Sequence, residues 1–101
     1  MNSVLITGAS SGFGEACARK FAAHGQRLVL CARRADRLSA LADELSQITE
    51  VHSVVLDVRD REAVFALPAA LPAAFADVGI LVNNAGLALG LGGADVASVD
   101  D

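Results

Sequence analysis

Three glycines spaced Gly8-x3-Gly12-x-Gly14, tandem arginines at Arg33-Arg34, a carboxylate at Asp57 and an amide pair at Asn83-Asn84 are the residues whose types and spacing can do chemistry. The glycines follow the apolar run Val4 to Ile6 and precede a helix-like pattern. A strand that empties into a glycine turn and a helix N-terminus forms an anion site, because unpaired N–H groups and the helix dipole face one point. Its natural guest is a dinucleotide pyrophosphate. Gly8 can take a backbone conformation other residues avoid, Gly12 lets the backbone close on the phosphates, and Gly14 lets the helix pack tightly on its strand. Ala9, Ser10, Ser11 and Phe13 offer main-chain N–H groups, and the two hydroxyls can bond phosphate or ribose oxygens. Taken alone, the same triplet describes an ordinary strand-to-helix turn.

Arg33 and Arg34 fall about twenty-five residues past Gly8, where a dinucleotide fold meets the adenosine ribose. A carboxylate there would accept from a 2'-hydroxyl and select NAD. Two guanidiniums suit a 2'-phosphate through charge-assisted bonds, so the cofactor expected is NADP. Without the glycine loop, the arginines would read as a solvated helix entry.

Composition bounds what can surround this site. A chain of 101 residues that is 53% hydrophobic is one domain or part of one, well above the apolar level of disorder. A net charge of -4 with scattered Lys and Arg gives no surface for nucleic acid. Cys17 and Cys31 lack metal-ligand or redox spacing, so no metal is expected; they read as small hydrophobes in a reducing cytoplasm. Only a few apolar residues precede Thr7-Gly8, without a basic start, which does not describe a signal peptide. The longest uncharged run, Val78 to Ala94, holds two Asn and five Gly. A membrane span needs ~20 mostly apolar residues, so no membrane partner is expected.

The elements that must position these residues follow in order. Val4 to Ile6 is a strand, apolar on both faces as a central parallel strand requires. Phe13, Cys17 and Phe21 recur at fourfold spacing as the apolar face of a first helix that stops at His24-Gly25. Arg27 to Cys31 is a second strand, and Asp36 caps a helix with the stripe Leu38, Leu41, Ala42, Leu45. Val51 to Leu56 is a third strand, and Asp60 opens a third helix that Pro68 kinks or ends. Gly79 to Val82 is a fourth strand leading into Asn83-Asn84-Ala85-Gly86, a turn at the same sheet edge as the glycine loop. Residues 86–101 read as a loop and the start of a next element, leaving the fourth strand as an open edge. The fold class is α/β, half of a Rossmann-type doubly wound parallel sheet in the order 3-2-1-4.

Thr7-Gly8-x3-Gly12-x-Gly14, Asp57-Val58 and Asn83-Asn84-Ala85-Gly86, in this order and at these separations, resemble the cofactor half of a short-chain dehydrogenase/reductase. The resemblance spans essentially residues 3 to 100. Within the family, Gly12-Phe-Gly14, Leu56-Asp-Val-Arg-Asp-Arg61 and Asn83 to Gly90 are most similar to NADP-dependent 3-hydroxy-acid dehydrogenases acting on serine-like and allo-threonine-like substrates. The resemblance implies that Asp57 accepts from the adenine amino group while Val58 packs on the ring. It implies that Asn83 braces the sheet, and that Asn84, Ala85 and Gly86 meet the adenosine side of the cofactor. Unaided, Asp57 reads as a helix cap and Asn83 to Gly86 as an ordinary turn. The family transfers hydride with a tyrosine, a lysine and a serine from the second half of its fold, but this chain has no tyrosine and only one lysine, Lys20, on the outward side of a helix. No catalytic residue is therefore assigned. The expectation is the amino-terminal part of a longer, homo-oligomeric enzyme acting on a small alcohol or carbonyl compound, inactive by itself. A non-catalytic NADP-binding or sensing module is the alternative.

Overall fold

The computed structural model describes residues 2–57, 59–84 and 95–98. Strands β1 (Ser3–Thr7), β2 (Arg27–Ala32), β3 (Val51–Val55), β4 (Val78–Asn83) and β5 (Asp95–Ser98) form one parallel sheet in the order β3-β2-β1-β4-β5. The first three are joined through α1 (Gly12–Ala23) and α2 (Ala35–Leu45), and β3 leads to β4 through α3 (Arg61–Ala70) and a 3-10 turn at Ala73–Phe75. The expected 3-2-1-4 order holds for the first four strands. The open edge expected at β4 is corrected, since β5 pairs along it with Ile80 opposite Asp95 and Asn83 opposite Ser98.

Burial on both faces explains why β1 reads as an unbroken apolar run: all five of its residues are buried. Val4, Ile6, Leu28, Leu30, Ala32 and Val82 point to the face covered by α1 and α2, whose buried residues include Ala18, Ala22, Leu38, Leu41 and Leu45. Leu5, Val29, Cys31, Val78 and Leu81 point to the other face, covered by Val64 and Leu67 of α3 and by Leu71. β3 lies at the edge, and its residues, all half-buried or exposed, show that edge position. Among the described residues no helix is long and apolar enough to cross a membrane.

Three local readings change. The buried face of α1 is Gly14, Ala18 and Ala22, whereas Phe13 is 48% exposed and Cys17 and Phe21 sit at the margin. Small residues let the helix axis approach the sheet, and the larger side chains are displaced to the flank. Asp36 lies in the first turn of α2 but does not cap it; Arg34 is the cap residue, with no side-chain bond. Pro68 does not end α3, which continues two residues further to Ala70. A proline this close to a helix end removes a single backbone bond, and Val64 and Leu67 keep that turn on the core.

Candidate functional site

The carboxyl ends of β1, β2, β3 and β4 meet at one edge, where Thr7 stands opposite Cys31 on one side and Asn83 on the other, and Cys31 stands opposite Val54. The Thr7 hydroxyl donates to Asn83 Oδ1 at 3.1 Å, bracing β1 against β4 within the buried sheet. From this platform the chain turns at Gly8, whose φ of +62° lies where side chains are strained. Gly14 returns beneath it, and a Cβ on Gly14 would collide with the Gly8 carbonyl oxygen and approach Ala9 Cα to 2.9 Å. Close approach of loop and helix is what these two glycines permit. Gly12 differs: a Cβ there would meet nothing within 4 Å, so the protein's own atoms do not require a glycine.

The loop's internal bonds decide which groups remain for a ligand. Ser11 caps α1: its Oγ accepts from the Gly14 N–H at 3.2 Å and from Asn84 Nδ2 at 2.5 Å, and it donates to the Gly8 carbonyl at 2.8 Å. The hydroxyl's one proton and two lone pairs are thus all engaged. The Ser11 N–H also donates to the Gly8 carbonyl at 3.1 Å, and the Ala9 N–H donates to the Cys31 carbonyl at 2.9 Å. Ala9 and Ser11 build the loop, and their donors are used within it. Ser10, whose hydroxyl has no bonded partner among the described residues, lines the adjoining cleft, and the N–H groups of Gly12 and Phe13 open a helix whose first turn lacks intrahelical acceptors.

That cleft, about 320 Å³, is bounded by the β1 exit (Thr7, Gly8, Ser10, Ser11), by Cys31 and Ala32, by Leu56, and by Arg33, Arg34 and Arg37. Among the described residues, three guanidiniums and no carboxylate line it. Arg37, which clusters with Arg33 and Arg34 in the sequence, was not among the cofactor residues expected there; it lies in the first turn of α2 and lines the same cleft. Burial pushes the Cys31 thiol up to about 12, so it stays a neutral group.

Asp57 follows Leu56 at the end of β3, and its carboxylate is bound to Arg59. Hydrogen bonds from the Arg59 side chain, and then from its backbone, lower Asp57 from its ordinary 3.8 to about 2, with a smaller contribution from Arg33. Asp57 does not cap α3; Asp60 does, accepting from the Ala63 N–H at 3.1 Å. Asn84 spans the opposite side, its Nδ2 reaching Gly8 and Ser11, while its buried Oδ1 has no partner among the described residues. Val58, Ala85 and Gly86 lie outside the described residues. No group of three potential metal ligands occurs among the described residues.

Comparison with known proteins matches this chain over residues 2–101 to a family model described as short chain dehydrogenase. Sulfoacetaldehyde reductase 2 of Chromohalobacter salexigens is 60% identical over 86 residues, which are 85% of this chain and 34% of that protein. NADP-dependent 3-hydroxy acid dehydrogenase YdfG of Salmonella typhi is 51% identical over 98 residues, 97% of this chain and 39% of that protein. The solved closed form of serine dehydrogenase complexed with NADP+ matches with a TM-score of 0.71 at 46% identity, covering 85% of this chain and 34% of that one. The chain therefore spans between 34% and 39% of the length of these relatives.

Proposed function

This chain belongs to the short-chain dehydrogenase family, and on that premise we propose that it is the nucleotide-binding part of an NADP-dependent oxidoreductase acting on a small hydroxy acid or a related alcohol or carbonyl compound. The observation that carries the reading is the cleft beside the Gly8 turn, rimmed by Arg33, Arg34 and Arg37 with no carboxylate among its described lining residues. Charge-assisted bonds from guanidiniums match a 2'-phosphate, whereas a ribose 2'-hydroxyl would call for an acceptor.

The residues fit such a cofactor at three further points. Open space at Gly12 allows a phosphate to approach the backbone, the Ser10 hydroxyl lines the cleft, and the unpartnered Asn84 Oδ1 offers a buried acceptor. Gly8 and Gly14 shape the loop, Phe13 adds its N–H, and Asp57 supplies the carboxylate nearest the adenine side. Val58, Ala85 and Gly86 join the site on the family pattern alone. NADP, when bound, supplies the hydride acceptor or donor; these residues hold and orient it.

A hydroxy-acid or similarly anionic substrate accords with the names of the relatives, a 3-hydroxy acid dehydrogenase and a sulfoacetaldehyde reductase. The chain carries no tyrosine for the family's proton transfer, and the proposal is that residues 1–101 alone bind nucleotide without turnover. A cytoplasmic setting and a homo-oligomeric whole enzyme belong to the same proposal.

Replacing Arg33 and Arg34 together by alanine tests the reading. Each charge-assisted contact contributes about 1.5–3 kcal/mol when well formed and less when solvated, so NADP affinity should fall at least roughly tenfold while NAD affinity holds. Equal losses for both cofactors would refute it.

A further inference from the structure

The Arg59 guanidinium stands outside the cleft lining yet holds the Asp57 carboxylate, which follows the lining residue Leu56. Its Nε donates to Asp57 Oδ1 at 3.2 Å and its Nη2 to Oδ2 at 2.9 Å, while the Arg59 backbone N–H donates to Oδ1 at 2.9 Å. Two bonds from one planar fork fix the plane of the carboxylate. An ionised carboxylate offers about four acceptor sites. Arg59 takes two at Oδ1 and one at Oδ2, so the remaining capacity lies on Oδ2.

Stability is a poor explanation for this fork. The Arg59 side chain is 77% exposed and that of Asp57 35%, and exposed ion pairs contribute little. Orientation is the better one, because Asp57 directly follows Leu56, which lines the cleft, and feels the charge of Arg33 from its rim.

We propose that Arg59 is a positioning residue for nucleotide recognition, turning the remaining Asp57 Oδ2 lone pair toward the exocyclic amino group of the adenine. This rests on the NADP reading of the cleft given above. The same bonds keep Asp57 ionised, and hence purely an acceptor, throughout the neutral range. Arg59 itself touches no part of the nucleotide.

The test compares two probes on the intact protein by binding titration: NADP, and its deamino analogue, in which a carbonyl oxygen replaces the adenine amino group. The unmodified protein should prefer NADP. Arg59→Ala should weaken NADP about fivefold and the deamino probe by less than about twofold. Asp57→Asn should reproduce that pattern, and the double variant should lose nothing more, as residues acting through one contact are non-additive. Arg59→Lys, which keeps charge but not the fork, should recover less than half of the loss. Equal losses for both probes in Arg59→Ala, from direct phosphate contact or general disruption, would overturn the proposal, as would unchanged NADP affinity or full recovery by lysine. Failure of the unmodified protein to bind NADP would remove the underlying site reading and this proposal together, a result distinct from all of these.

Discussion

The Asn84 side chain donates its Nδ2 hydrogen to the Gly8 carbonyl at 3.2 Å, across 76 positions of sequence. Gly8 is held there by torsion, with φ of +62°, and by contact, since a Cβ would lie 2.9 Å from that same Nδ2. The glycine loop is therefore shaped partly from the end of β4, and the two stretches that the site needs are joined before any ligand is present.

Asn84→Asp keeps the shape of this contact and removes its donor, leaving an oxygen to face the Gly8 carbonyl and the Ser11 hydroxyl. Loss of the two bonds should cost about 1–2 kcal/mol of stability. Affinity for NADP and NAD should fall together, because the loop serves the pyrophosphate that both share. Denaturant unfolding and nucleotide titration read the two effects; unchanged affinity for both cofactors would show that the loop holds its shape without Asn84.

Gly14 and Gly12 should separate structure from binding. Gly14→Ala forces a Cβ against Gly8 and Ala9 backbone atoms that cannot swing away, so a loss of about 1–3 kcal/mol is expected, the range for overpacking. Gly12→Ala enters open space and should change stability by less than about 1 kcal/mol. Its effect belongs to binding, where Gly12→Val should weaken NADP and NAD alike. Comparable destabilisation by both alanine variants would contradict the geometry.

The sheet was legible because four strands are long apolar runs followed by turn chemistry, a pattern that survives whatever packs on it. β5 was not, since Asp95-Val-Ala-Ser98 is short, half polar and preceded by a glycine-rich stretch. Its pairing is decided by β4. In α1 the fourfold recurrence of Phe13, Cys17 and Phe21 marks a genuine apolar stripe, but packing distance selects Gly14, Ala18 and Ala22 beside it. At the site, residue types singled out the glycine turn and two arginines that the fold brings to one cleft. The fate of the Ala9 N–H and the Ser11 hydroxyl was not readable, because their partners Cys31 and Asn84 arrive only through tertiary folding. Asp57 illustrates the same limit, its carboxylate being committed to a neighbour two positions away that local pattern rules do not weigh.

Asp57 should leave a signature in acid. Its carboxyl is lowered from 3.8 to about 2 in the folded protein, first by the Arg59 side-chain bond. A depressed carboxyl stabilises the fold above its unfolded pKa, and that contribution is lost as pH falls through the folded value. The melting temperatures of the unmodified protein and of Asp57→Asn should therefore differ by a constant amount above about pH 4 and converge toward pH 2. Arg59→Ala should carry the carboxyl back toward its ordinary value and remove the same window. A gap that persists undiminished at pH 2 would mean that Asp57 acts through packing and not through its charge.

Arg27 should prove the costliest single arginine for stability. It sits at the start of β2 with its side chain 23% exposed, its Nε on Glu50 Oε2 at 2.6 Å, and its Nη1 donating to the Ala74 carbonyl at 2.5 Å. The guanidinium carbon lies 5.8 Å from the centre of the Phe75 ring, which faces His52 of β3 at 5.6 Å. One side chain thus ties β2 to the turn that feeds β4. Its contributions are of unequal strength. The pair with Glu50, itself 64% exposed, is worth about 0–1 kcal/mol, the contact with Phe75 about 0.5–1, and the bond to the Ala74 carbonyl about 1. Because the three share one side chain they are not fully additive, and Arg27→Ala should cost about 1–2 kcal/mol, lowering the denaturant midpoint at unchanged slope. Arg27→Lys should recover less than half, since an ammonium cannot reach the carboxylate and the carbonyl in the geometry of a planar fork. Repeating the measurement at 1 M salt separates the parts, because screening removes the Glu50 share and spares the carbonyl bond and the ring contact. A difference that vanishes in salt would reduce Arg27 to a surface ion pair, and one that survives would establish it as the clamp between β2 and the approach to β4.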